Sequence, residues 1–72
     1  KYKYSSVLSM IIVTGAAGFI GSCLIARLNE ENFNYIIAVD EFSDPEKEKN
    51  LEGKRILERV NREAFFDWLD KN

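Results

Sequence analysis

The stretch Met10-Ile11-Ile12-Val13-Thr14-Gly15-Ala16-Ala17-Gly18-Phe19-Ile20-Gly21 decides the fold class. Met10 to Val13 is a continuous apolar run, rich in β-branched residues and stopped at Gly15, as expected of a strand buried on both faces of a parallel sheet. Beyond the glycines, Ile20, Cys23, Leu24 and Leu28 recur at spacings of three and four, while Arg27, Asn29 and Glu30 take other positions. That spacing predicts an amphipathic helix from about Gly18 to Glu30. Tyr35-Ile36-Ile37-Ala38-Val39 is a second apolar run, set off by Asn32 and Asn34 and closed by Asp40, and it predicts a second strand. Strand, helix and strand in this order make a βαβ unit.

Each glycine of the GxxGxxG spacing has a physical use. Gly15 suits a tight turn, Gly18 removes a Cβ where backbone would approach a pyrophosphate, and Gly21 lets helix and strand pack closely. The unpaired N–H groups of the first helical turn, near Phe19 and Ile20, carry the positive end of the helix dipole and suit an anion. Asp40 follows Gly21 by nineteen positions, near the offset at which a carboxylate accepts hydrogen bonds from an adenosine ribose. A glycine triplet alone is only a tight connection. With a strand before it, a helix after it and an acid closing the next strand, it points to a bound dinucleotide.

Composition bounds the rest. Seventy-two residues allow one small domain and rule out a large self-contained enzyme. The apolar share of 46%, the charged share of 31% and the net charge of -2 are those of a soluble globular chain, with no electrostatic argument for nucleic acid or an anionic membrane. One cysteine and no histidine exclude a disulfide framework, a histidine-based triad and the commonest metal ligand. The apolar runs fall short of the ~20 residues that span a bilayer. Lys1 to Val13 loosely imitates a signal peptide, but Ser9 interrupts its apolar stretch and the would-be cleavage region is the glycine motif itself. Residues 1–9 are therefore expected to be a disordered leader, with too few lysines for nucleic-acid affinity.

From Glu41 to Lys54 the chain turns polar, which predicts an exposed fourteen-residue connection that adds nothing to the core and has little room for a helix. The tail fits two patterns. Ile56, Leu57, Val60, Ala64, Trp68 and Leu69 match one helix over about 54–70, whereas Arg55 to Val60 also fits a short strand, with Asn61 capping a helix through Phe65, Phe66 and Leu69. Periodicity by itself favours the single helix. Phe65, Phe66, Trp68 and Leu69 are expected in the core, and Cys23 is expected to be buried on the apolar face of the first helix.

Thr14 to Ser22, TGAAGFIGS, followed by Ala38-Val39-Asp40, resembles the opening of the extended short-chain dehydrogenase/reductase family, which includes sugar-nucleotide epimerases and dehydratases. Over Met10 to Asn72, and especially at Asn50-Leu51-Glu52-Gly53 and Phe65-Phe66-Asp67-Trp68-Leu69, the chain is similar to the amino termini of the ADP-glyceromanno-heptose 6-epimerases. The resemblance implies an α/β fold, the amino-terminal βαβ(β)α portion of a Rossmann-type doubly wound parallel sheet, with residues 10–72 a partial NAD(P)-binding domain. It also turns the tail reading toward a short third strand. It implies that Phe19 and Ile20 offer backbone to a cofactor pyrophosphate, that Asp40 and Glu41 lie at the adenosine ribose, and that Lys47 and Arg62 fall near a 2′-phosphate. With Gly15, Gly18 and Gly21 these form the expected cofactor-binding set. Lys47 and Arg62 favour NADP; the negative pair Asp40 and Glu41 favours NAD, and the choice stays open. Both cations also read as ordinary solvated charges among the seven acidic and six basic residues from Glu41 to Glu63.

Members of that family use a tyrosine four residues before a lysine. Here the fourth residues after Tyr2, Tyr4 and Tyr35 are Ser6, Leu8 and Val39, so no catalytic residue and no metal-ligand set is assigned. The expectation is a cofactor-binding fragment, inactive alone, of a cytoplasmic, homo-oligomeric enzyme with a nucleotide-sugar substrate and no nucleic-acid or membrane partner. By resemblance that enzyme epimerises C6″ of an ADP-heptose, for lipopolysaccharide core sugar supply, through transient oxidation and return of hydride to the opposite face. Three alternatives stay open: another sugar-nucleotide epimerase or dehydratase, such as a UDP-galactose 4-epimerase-like enzyme; a non-catalytic dinucleotide-binding regulator; and an interaction fragment using the stripe from Phe65 to Leu69. In the expected strand order 3-2-1 the first strand is an edge, so isolated residues 1–72 are expected to be partly folded or to associate.

Overall fold

The computed structural model describes residues 10–72; the expected leader at 1–9 lies outside the described residues. Strand β1 (Ile11–Thr14), helix α1 (Phe19–Glu30), strand β2 (Ile36–Asp40), the short helix α2 (Pro45–Glu48), a 3-10 turn (Lys49–Leu51), strand β3 (Glu58–Asn61), a second 3-10 turn (Arg62–Ala64) and helix α3 (Phe65–Lys71) follow in order. The strands form one parallel sheet in the order β1-β2-β3, with Val13 opposite Ala38 and Val39 opposite Val60. This is the predicted α/β class and strand order, with β1 at an edge.

β2 is central, and all five of its residues are buried, which is why its sequence is apolar without alternation. Its side chains divide between the two faces by the two-residue period of a strand. Ile36 and Ala38 pack with Val13, Ala16, Ala17, Ile25 and Leu51 on one face; Ile37 and Val39 pack with Val60, Phe65 and Trp68 on the other. Two helical layers thus cover the middle strand, and β1 and β2 both end at the glycine turn.

α1 stops through backbone chemistry that a pattern of apolar residues does not reveal. Asn32 takes a left-handed φ of 69°, the Phe33 N–H donates to the Leu28 carbonyl at 2.8 Å and the Asn32 N–H to the Asn29 carbonyl at 2.9 Å. This is a Schellman motif with asparagine in the usual glycine place. Asn29 then ties the helix end to the approach to β3. Its amide nitrogen donates to the Phe33 and Arg55 carbonyls and its oxygen accepts from the Arg55 N–H at 2.8 Å. Being fully hydrogen-bonded, it can sit buried.

Several expectations need correction. The buried face of α1 is Ser22, Ile25 and Asn29, not the stripe of Ile20, Cys23, Leu24 and Leu28. Of that stripe only Leu28 packs against the core, while Ile20 is 81% exposed and Leu24 48%. Cys23 is exposed rather than buried, because it lies about 100° around the helix from Ser22, away from the sheet. The 41–54 segment does contribute to the core: Leu51 is only 2% exposed, delivered there by α2 and the 3-10 turn that follows it. Asp44 starts that helix by accepting the Glu46 N–H, with Pro45 at the first helical position. The single tail helix suggested by periodicity is overturned by β3, as the resemblance implied, and Asn61 caps the next turn by accepting the Glu63 N–H. Pairing with β2 overrides helical periodicity here because it satisfies a row of backbone groups and buries Val60. Phe65 and Trp68 pack as expected, but Phe66 is 76% exposed and Leu69 is exposed as well, since a seven-residue helix offers only one narrow side to the sheet.

Candidate functional site

The carboxyl ends of β1 and β2 and the amino end of α1 meet at the glycine turn. Gly15 has a φ of +64°, the left-handed region that glycine enters without penalty. Gly18 caps α1 in an extended conformation, with no side-chain cap and no acidic residue in the first turn. At Gly21 a Cβ would stand 2.9 Å from the Gly15 carbonyl carbon and collide outright with its oxygen. The expected reason for this glycine, close passage of helix and turn, is therefore visible as geometry.

Hydrogen bonds hold the turn up to one point and then stop. The Ala16 N–H donates to the Val39 carbonyl at 3.1 Å, the Ala17 N–H to Asp40 Oδ2 at 2.9 Å and the Gly18 N–H to the Gly15 carbonyl at 3.1 Å. The first intrahelical bond is that of the Ser22 N–H to Gly18. The N–H groups of Phe19, Ile20 and Gly21 lie in the orphan turn of the helix and have no acceptor among the described residues. These three donors, with the helix dipole behind them and no Cβ on Gly18, form a cradle for an anion.

Asp40 stands beside the cradle and is 5% exposed. Its Oδ1 accepts the Glu41 N–H at 2.6 Å and lies 3.8 Å from Lys47 Nζ. Burial pushes this carboxyl up, but the hydrogen bonds from the Glu41 and Ala17 N–H groups, then the attraction of Lys47 and Arg62, outweigh it, so it is held below its ordinary value of 3.8. Asp40 is thus ionised at neutral pH, and it fastens the glycine turn to the end of β2.

The other expected site residues distribute unevenly. Phe19 and Ile20 open α1 with exposed side chains, so only their backbone enters the cradle. Lys47 is brought to Asp40 by α2, and Arg62 acts on Asp40 from the turn after β3. The Glu41 carboxylate turns instead to Ser43, whose Oγ donates to its Oε2 at 2.5 Å. Two contributors were not among the expected site residues. Ala17 anchors the turn through its N–H, and Asn50 donates from Nδ2 to the Ala17 carbonyl at 2.8 Å across 33 positions. A lone asparagine in a polar run carries no signal of such a long-range bond. No helix among the described residues is long and apolar enough to cross a membrane.

The chain is similar to known proteins over most of its length. Over 60 residues, 83% of this chain, it is 48% identical to the ADP-L-glycero-D-manno-heptose-6-epimerases of Nitratidesulfovibrio vulgaris strains DP4 and Hildenborough, covering 19% of each. Over 57 residues, 79% of this chain, it is 46% identical to the protein of the same name from Pseudomonas paraeruginosa strain PA7, covering 17% of it. The chain therefore spans less than a fifth of the length of these curated relatives. Residues 11–71, from the first residue of β1 to the last of α3, match the model of one protein family, and the chain belongs to it: the NAD dependent epimerase/dehydratase family.

Proposed function

We propose that this chain is the dinucleotide-binding part of a sugar-nucleotide epimerase whose substrate is an ADP-activated heptose, epimerised at C6″. The observation that carries the cofactor reading is the uncapped first turn of α1, with three free N–H groups beside a buried, ionised Asp40. The cradle fits a pyrophosphate: Gly18 presents no side chain and a Cβ there would meet only the Gly15 carbonyl, at 3.4 Å. In this reading the N–H groups of Phe19 and Ile20 hold the pyrophosphate, Gly15 makes the turn, Gly18 keeps the approach open, Gly21 lets the helix pass close to the turn, and Asp40 and Glu41 hold the ribose. A bound nicotinamide dinucleotide supplies reversible hydride acceptance; the residues here bind and orient it.

Asp40 uses both oxygens within the chain and Glu41 is engaged by Ser43. The negative pair that argues for NAD is therefore partly satisfied, and exposed Lys47 and Arg62 support NADP. The heptose assignment is supported by the names of the relatives; a cytoplasmic location and a homo-oligomeric complete enzyme belong to the same proposal and rest on the family resemblance alone. The test is turnover of ADP-heptose against UDP-galactose by the full-length protein that carries this chain, alongside NADPH and NADH binding. Heptose epimerisation supports the reading; turnover of UDP-galactose alone moves the assignment to another nucleotide sugar, and cofactor binding without turnover of either withdraws the enzyme.

A further inference from the structure

We propose that Asn50 is a positioning residue for the anion cradle, acting through the Ala17 carbonyl; the proposal rests on the dinucleotide reading above. Of the peptide groups in the glycine turn, the one joining Ala17 to Gly18 immediately precedes the free donors. Its N–H is held by the Gly15 carbonyl at 3.1 Å and its C=O by Asn50 Nδ2 at 2.8 Å. Turning this peptide plane changes ψ at Ala17 and φ at Gly18, and the φ of Gly18 sets where the next peptide, with the Phe19 N–H, is aimed. The Gly15 bond is local and moves with the turn, whereas Asn50 comes from a different element and supplies an external reference.

That reference is itself anchored. Leu51, the next residue, is buried in the cluster that contains Ala16, Ala17 and Ile25, so the Asn50 backbone cannot retreat without uncovering it. Three positions earlier on the same helical run, Lys47 approaches Asp40. Residues 47–51 thus brace Ala17 from both sides: through Asp40, which takes its N–H, and through Asn50, which gives to its carbonyl. Neither contact puts a side chain of this segment into the cradle itself, so Asn50 sets the direction of donors that belong to other residues.

The consequence is selective. Loss of the Asn50 donor should weaken ligands that carry a pyrophosphate and spare those held only at the nucleoside. The experiment uses the full-length protein that carries this chain, with the affinities of NADPH, NADH, ADP and adenosine measured for wild type and Asn50→Leu. The expected result is about fivefold weaker ADP and dinucleotide binding, the worth of one ordinary hydrogen bond, with adenosine within about twofold of wild type. Asn50→Ala carries the same test if the leucine variant does not fold. Unchanged ADP affinity, or equal losses for ADP and adenosine, overturns the positioning role while leaving the site standing. Wild-type protein that binds neither dinucleotide overturns the site reading itself.

Discussion

Replacing Gly21 by alanine should unfold this protein more readily, although the same change in an ordinary helix stabilises it. Alanine gains about 1 kcal/mol over glycine within a helix, because the unfolded chain has less freedom to lose. Against this, the new Cβ would overlap the Gly15 carbonyl, with its carbon at 2.9 Å and Ala16 Cα at 3.0 Å. Every obstacle is backbone, so no side chain can swing aside. Reaching ordinary contact requires the helix and the turn to part by roughly 1 Å, and overpacking of this kind costs about 1–3 kcal/mol. The displaced oxygen is also the acceptor of the Gly18 N–H, a bond worth about 1 kcal/mol. The net expectation is a loss of about 2 kcal/mol, read as a lower urea midpoint at unchanged slope in the full-length protein that carries this chain. A variant as stable as wild type, or more so, would refute the close-packing argument and leave Gly21 as a residue of no special geometry.

Gly18→Ala should behave oppositely, keeping its urea midpoint within about 1 kcal/mol because its Cβ meets the Gly15 oxygen at 3.4 Å, yet losing dinucleotide affinity at least tenfold; retained affinity would remove the pyrophosphate from this turn. Asp40→Asn should cost about 2 kcal/mol at neutral pH, since it ends charge-assisted bonds to two backbone N–H groups. Because the native Asp40 carboxyl is depressed below its ordinary value of 3.8, its contribution is complete above that value and is lost as pH falls through the lower native one. Urea midpoints of wild type and Asp40→Asn should therefore converge on acidification below pH 3.8, and a gap independent of pH would refute the ionised anchor. Lys47→Gln with Arg62→Gln should weaken NADPH about tenfold and NADH little, whereas equal losses in fluorescence titrations would count against a 2′-phosphate at these cations.

How much of this could be read beforehand depended on the range of the forces involved. Short-range patterns were legible: the apolar runs became β1 and β2 within a residue of their expected ends, and the glycine spacing became a left-handed turn, an open cap and a close crossing. Where local preference and distant pairing disagreed, local preference failed. Helical spacing ran on through Arg55 to Val60, but β2 offered a row of backbone partners, and a strand formed. The apolar stripe of α1 pointed to one buried face and the structure buried another. Asn29 satisfies its amide on the approach to β3, while Ile20 and Leu24 border the free edge of β1, lining with Ile12 an open groove of about 670 Å³.

By itself, then, the sequence determined the βαβ order, the glycine turn and the acid that closes β2, because each rests on backbone sterics or a period within a dozen residues. Only the tertiary structure decided that Leu51 belongs to the core, that Cys23 faces outward, and that Asp40 and Asn50 grip Ala17 from its two sides. Those outcomes depend on which surfaces meet across 20 to 35 positions, and neither composition nor periodicity carries that information.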